Sequence, residues 1–131
     1  MIGMPMASAQ AHVDPDGPAA VHLGRHTVTV DHADAGPTPL ELMTGALASC
    51  SALAARSHLA RDGDRGEIDV VVTLDAGPPT LLYRRVLLPF RLGTRDAHRL
   101  VDALERTELT MMLRPAFQIR TQVEHAGELL T

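Results

Sequence analysis

Lysine and tryptophan are absent from this chain, cysteine occurs once, and Tyr83, Phe90 and Phe117 are the only phenyl or phenol side chains it has. A single thiol excludes an intrachain disulfide and fits a reducing compartment, so a cytoplasmic location is expected. With so few aromatics there are no platforms on which bases could stack. A formal charge of −4, with the basic residues scattered, also removes the positive face that a nucleic-acid partner needs. All twelve basic residues are arginine; this reads as a genomic codon preference and is assigned no function. No apolar run approaches the length of a membrane span, and Met1 to Met6 is too short and uncharged for a signal peptide, so no membrane partner is expected.

What the chain does have is aliphatic. Hydrophobic residues make up 45% of its 131 positions, so the core must be built from Leu, Val, Ala and Met. That length is read as one domain over 1–131. It can bury a core, yet it leaves apolar surface that a homodimer would cover. No linker, repeat or low-complexity tract interrupts it.

Alternation over 8–13 and 19–30, about the turn Asp14-Pro15-Asp16-Gly17-Pro18, predicts an N-terminal hairpin spanning 8–31. Val- and Leu-rich strands are predicted at 67–76 and 80–92, with Pro89 marking an edge or a bulge. Within a helical stretch over 95–113, Thr94 is read as the cap of a helix through about Arg106, in which Ala97, Leu100, Val101 and Leu104 face inward. Thr107 opens its last short turn. A final strand is expected at 117–124, followed by a loose tail over 126–131.

The clearest element lies between the hairpin and the second pair of strands. Thr38 can accept from the amide of Glu41, Pro39 sits where no amide donor is needed, and Glu41 can reach back to the Thr38 amide, which together form a capping box. From there a central helix is predicted over 39–61, stopped by Asp62-Gly63 and rich in small residues. Cys50 sits mid-helix within GPTPLELMTGALASCSA. A thiol attacks as thiolate, and a mid-helix position gains nothing from the helix dipole. His58 is eight residues on, roughly 12 Å along the axis, and cannot reach it within the helix. The plain alternative is that Cys50 is a small buried hydrophobe. Among the histidines, His22 and His26 could face the same way, but strand residues four apart are separated by about 13 Å. Neither a metal site nor a cofactor is expected.

The run from Gly36 to Ala52 resembles the core signature of the OsmC/Ohr family, whose members place a reactive cysteine in a long central helix after G-x-x-P-x-E-L. The order of elements after the helix is similar as well. The resemblance implies an α+β OsmC-like fold, with the long central helix packed against antiparallel sheets in an intertwined homodimer. It also implies a catalytic Cys50. In the family's peroxide reductases an Arg from the early hairpin and a Glu ten residues before the cysteine activate the thiol. Here that position is Leu40, with Glu41 one place nearer, and the turn at 14–18 has no basic residue, so Arg25 is the closest substitute. The family's second cysteine opens a later helical turn, and the gapless match places Thr107 there. Two functions stay open. One is thiol-dependent reduction of organic hydroperoxides by a one-cysteine cycle at Cys50, with an external dithiol or redox protein as reductant. The other is a non-catalytic dimeric module that binds a small hydrophobic ligand in the same cleft.

Overall fold

The computed structural model describes residues 7–64 and 66–131, and the Met1 to Met6 stretch weighed above as a leader lies outside them. The chain forms two compact units, one ending at Met43 and one running from Thr44 to Thr131.

In the first unit, β1 (Ala9–His12), β2 (Ala19–Leu23) and β3 (His26–Val30) make an antiparallel sheet in that order. The stretch 19–30 is therefore two strands, where the alternation suggested one. The break is the two-residue loop Gly24-Arg25, with Gly24 at φ 63°, the first central position of a type II′ turn that glycine fills without strain. The turn re-sorts the faces. Val21 pairs with Val28, and Ala19 with Val30, so these four share the better-covered face. His22 sits opposite Thr27, with its Nδ1 3.2 Å from the threonine hydroxyl, whereas His26 pairs with Leu23. The two histidines thus point to opposite faces, contrary to the sequence expectation.

The loop that follows is folded tightly back. A Cβ on Gly36 would stand 2.1 Å from the Thr29 carbonyl oxygen, so only glycine fits there, and the Asp31 amide donates to Pro37 O at 3.0 Å. Helix α1 (Pro39–Arg61) then starts as the sequence implies. The Glu41 amide donates to Thr38 Oγ1 at 3.1 Å, and the Thr38 amide donates to Glu41 Oε1 at 3.0 Å.

Within the second unit, α1 turns Leu47, Ser51, Ala55 and Leu59 inward, a row at every fourth residue that forms one stripe of the helix. Strands β4 (Asp69–Asp75), β5 (Leu81–Leu88), β6 (Gln118–His125) and β7 (Glu128–Leu129) form the second sheet in that order. β4 and β5 are an antiparallel hairpin. The chain then returns through α2 (Thr94–Glu105) and α3 (Glu108–Leu113), so β6 lies parallel to β5. A parallel neighbour requires such a crossover. The sheet is therefore mixed, where antiparallel sheets were expected.

Three smaller expectations are also revised. β5 stops at Leu88 because it is flanked on both sides, and Pro89 has no amide to give to a central strand. The helix and the short helical turn expected over 95–113 are α2 and α3, and only the cap is revised. In the first, Gly93 is the cap and Thr94 the first helical residue, with the Ala97 amide donating to Gly93 O at 2.9 Å. The stretch 126–131 is not loose. Ala126 and Gly127 both take positive φ, which makes the tight turn that pairs β7 with β6. Leu130 then enters the core, and its amide donates to Val123 O at 2.8 Å. That core joins Ala55 and Leu59 of α1, Val86 and Leu88 of β5, Ala97, Leu100 and Leu104 of α2, and Val123 of β6.

Candidate functional site

Along β5 the inward row is Leu82, Arg84, Val86 and Leu88. Three aliphatic residues in that row are ordinary; an arginine with 0% exposure is not. Burying a guanidinium costs several kcal/mol unless its donors are met. Arg84 meets them with groups from four elements. Its Nε donates to Thr121 Oγ1 of β6 at 3.0 Å, and its Nη1 donates to Ser51 Oγ of α1 at 3.1 Å and to Thr110 Oγ1 of α3 at 2.8 Å. Its Nη2 faces Glu105 Oε1 of α2 at 3.4 Å. The other oxygen of Glu105 pairs with Arg114 Nη2.

Burial first, and then the neighbouring charge of Arg114, lower the Arg84 pKa to about 10, with the field of Cys50 acting in the opposite direction. Arg84 is still a cation at neutral pH. Cys50 is half-buried on α1, one residue before the Ser51 that Arg84 holds. The thiol therefore lies in the field of a buried positive charge anchored to its own helix turn.

Thr107 joins the same cluster. Its hydroxyl lies 2.8 Å from Thr110 Oγ1 and donates to Leu104 O at 3.1 Å. Although Thr107 stands at the N-cap position of α3, its side chain makes no capping bond; its hydroxyl is engaged by Leu104 and Thr110 instead. Glu41 closes the capping box at the start of α1, and the Thr38 amide, followed by the Thr38 hydroxyl, holds its carboxyl below the usual carboxylate range. Arg25 occupies the exposed tip of the β2–β3 turn. Both residues belong to the first unit, whereas Ser51, Glu105, Thr110 and Thr121, which hold Arg84, belong to the second.

Sequence reading missed Arg84, Glu105, Arg114 and the hydroxyls of Ser51, Thr110 and Thr121. One signal was available: in LLYRRVLL every second residue is a core aliphatic except the arginine at 84. Polarity inside an inward row marks either a misjudged strand or a site. Among the described residues no three His, Cys, Asp or Glu side chains group as a metal site, and no helix is long and apolar enough to cross a membrane.

A long helix carrying one cysteine, a three-stranded antiparallel sheet before it and a mixed sheet with two helices after it define the OsmC/Ohr fold, and this chain has that fold. Among solved structures it is similar to an OsmC-like protein from Mycoplasma pneumoniae, with TM-score 0.74 at 16% identity over 92% of this chain and 97% of that one. An organic hydroperoxide resistance protein OsmC from Legionella pneumophila superposes with TM-score 0.70 at 16% identity, covering 94% and 99%. The organic hydroperoxide resistance protein OhrB of Bacillus subtilis gives 0.65 at 18%, covering 91% and 98%. No protein-family model matches the chain, and no curated protein matches it by sequence.

Proposed function

We propose that the protein reduces organic hydroperoxides with Cys50 as the nucleophile and an external thiol as reductant. The observation that carries this is the half-buried thiol one residue before the Ser51 that a fully buried, protonated Arg84 holds, because a cation nearby is what a mid-helix thiol needs in order to react as a thiolate. The solved structures of the same fold that are named as organic hydroperoxide resistance proteins support the substrate class.

The thiolate sulfur attacks the terminal oxygen of R–O–O–H, forming an S–O bond as the O–O bond breaks. The departing alkoxide takes a proton to become the alcohol, and the sulfur, oxidised by two electrons, is a sulfenic acid. With threonine at 107, no second cysteine in the chain resolves it. A small dithiol or a redox protein therefore supplies both reducing equivalents: its first thiol condenses with the sulfenic acid and releases water, and its second displaces Cys50 as a thiol.

A homodimer is part of the same proposal. The first sheet buries only Val30 among its strand residues, and Leu53, Met111 and Met112 are 53%, 61% and 74% exposed. A three-stranded sheet so poorly covered calls for a second surface. The test is peroxide consumption by pure protein with a dithiol, comparing wild type with Cys50→Ser. Turnover of an alkyl hydroperoxide that disappears in the variant is the expected result. No turnover, together with binding of an apolar fluorescent probe in both proteins, would replace the enzyme with a ligand-binding module.

A further inference from the structure

Helix α1 ends on Arg61, and α2 is capped by Arg106. On α1, Ala54, Ser57, His58 and Arg61 are spaced three and four residues apart and so share one face, as Ala103 and Arg106 do at the end of α2. Both helices pack on one core with β5 and β6, α1 through Ala55 and Leu59, α2 through Ala97, Leu100 and Leu104. Between them runs a groove of about 440 Å³ lined by those six residues, Ala54, Ser57, His58, Arg61, Ala103 and Arg106. Small-molecule sites usually occupy about 300–1,000 Å³, so the groove is large enough to hold one.

No carboxylate lines it. Among the described residues, Ser57, His58, Arg61 and Arg106 have no side-chain hydrogen bond or ion pair, whereas Arg84, Arg85, Arg91, Arg99 and Arg114 each stand against a glutamate or an aspartate. Basic residues at helix C-termini ordinarily offset the negative end of the dipole. That accounts for only part of the charge here: each terminus carries about half a negative charge, so two guanidiniums leave the groove roughly one unit positive.

Ala54, His58 and Ala103 are half-buried, while Ser57 and the two arginines are exposed. The groove thus has a small apolar floor under a cationic rim. A phosphate group carries close to two charges and three acceptor oxygens, and a guanidinium can meet two of those oxygens at once. A carboxylate has one charge and two oxygens, too few for donors arriving from two helices. We propose that this groove binds the phosphate group of a small ligand, with Arg61 and Arg106 pairing with it from α1 and α2 and Ser57 and His58 donating beside them. No member of the Arg84 cluster takes part, and the site does not depend on the chemistry of Cys50.

The experiment titrates the full chain with inorganic phosphate at neutral pH, with ionic strength held constant by sodium chloride, and follows backbone amide shifts by NMR. A saturating response centred on 54–61 and 103–106 is expected. Arg61→Gln and Arg106→Gln should each weaken binding about fivefold, the upper end of what an exposed ion pair contributes, and the double variant should abolish it. Arg95→Gln, which removes an exposed cation of α2 outside the groove, should leave binding unchanged. Acetate should bind more weakly than phosphate. Phenyl phosphate separates the sources of the group: tighter binding than inorganic phosphate makes a monoester the ligand, its organic part lying on Ala54 and Ala103, and equal binding makes the ligand the free ion. A response that does not saturate, that acetate reproduces, or that persists in the double variant would overturn the site.

Discussion

The hydroxyls of Thr107 and Thr110 lie 2.8 Å apart, and Thr110 is in turn 2.8 Å from the Nη1 of Arg84, which also holds Ser51. One chain of hydrogen bonds therefore runs from Thr107 to the residue after Cys50. Thr107→Cys should then form a reversible disulfide with Cys50 on mild oxidation, which needs Cα atoms at or just beyond roughly 4.4–6.8 Å. Mass spectrometry of the oxidised variant checks this. A protein that gains no bridge and loses no thiol would separate Thr107 from the site.

Leu130→Ala should lower the unfolding free energy in urea by about 2–3 kcal/mol, as for other buried leucines cut to alanine. Leu130 is 6% exposed and belongs to the core. A change below about 0.5 kcal/mol, typical of a surface position, would restore the loose tail that the sequence suggested.

The first turn of α1 should loosen in acid. The Glu41 carboxyl is held below its ordinary 4.5 by the Thr38 amide and hydroxyl, so its contribution is complete above that value and is lost as pH falls through the lower, folded-state value. Protection of the Thr38 amide, its exchange relative to an unstructured chain at the same pH, should fall below pH 4.5 in the wild type. In Glu41→Ala that protection should be low at every pH. A wild-type amide that stays protected through that window would count against the capping box.

In solution the chain should have twice the 14.1 kDa mass of one copy. Leu53→Glu, on the exposed side of α1, should shift light scattering toward the single-copy mass. A wild-type protein that is monomeric at micromolar concentration contradicts the dimer. A Leu53→Glu dimer as tight as wild type moves the seam away from α1.

Local chemistry made some elements legible and hid others. The capping box at Thr38 and Glu41, with Pro39 between them, located α1 because all of its information lies within four residues. The β2–β3 turn was missed because Gly24-Arg25 is a two-residue loop inside an unbroken alternation, and β7 was missed because Ala126 takes a positive φ that its side chain does not advertise. Cys50 was found through a motif. The cluster beside it was not, since Ser51, Arg84, Glu105, Thr110 and Thr121 are drawn together by a parallel crossover from distant parts of the chain, and no spacing rule spans it.

The inward position of Arg84 also polices the pairing of β5. Side chains alternate along a strand, so a slip of one residue against β4 or β6 would drive Tyr83 and Arg85 inward and expel Leu82, Val86 and Leu88. An aliphatic strand tolerates such an error for a while, because hydrophobic contacts are interchangeable. Here the misregistered strand would also take Arg85 from Glu124, with which it pairs at 2.7 Å, and leave Ser51, Thr110 and Thr121 facing a phenol or the wrong guanidinium. A charge with named partners thus makes the mispaired sheet costly from its first contacts, and the chain arrives at one register before any chemistry is asked of Cys50.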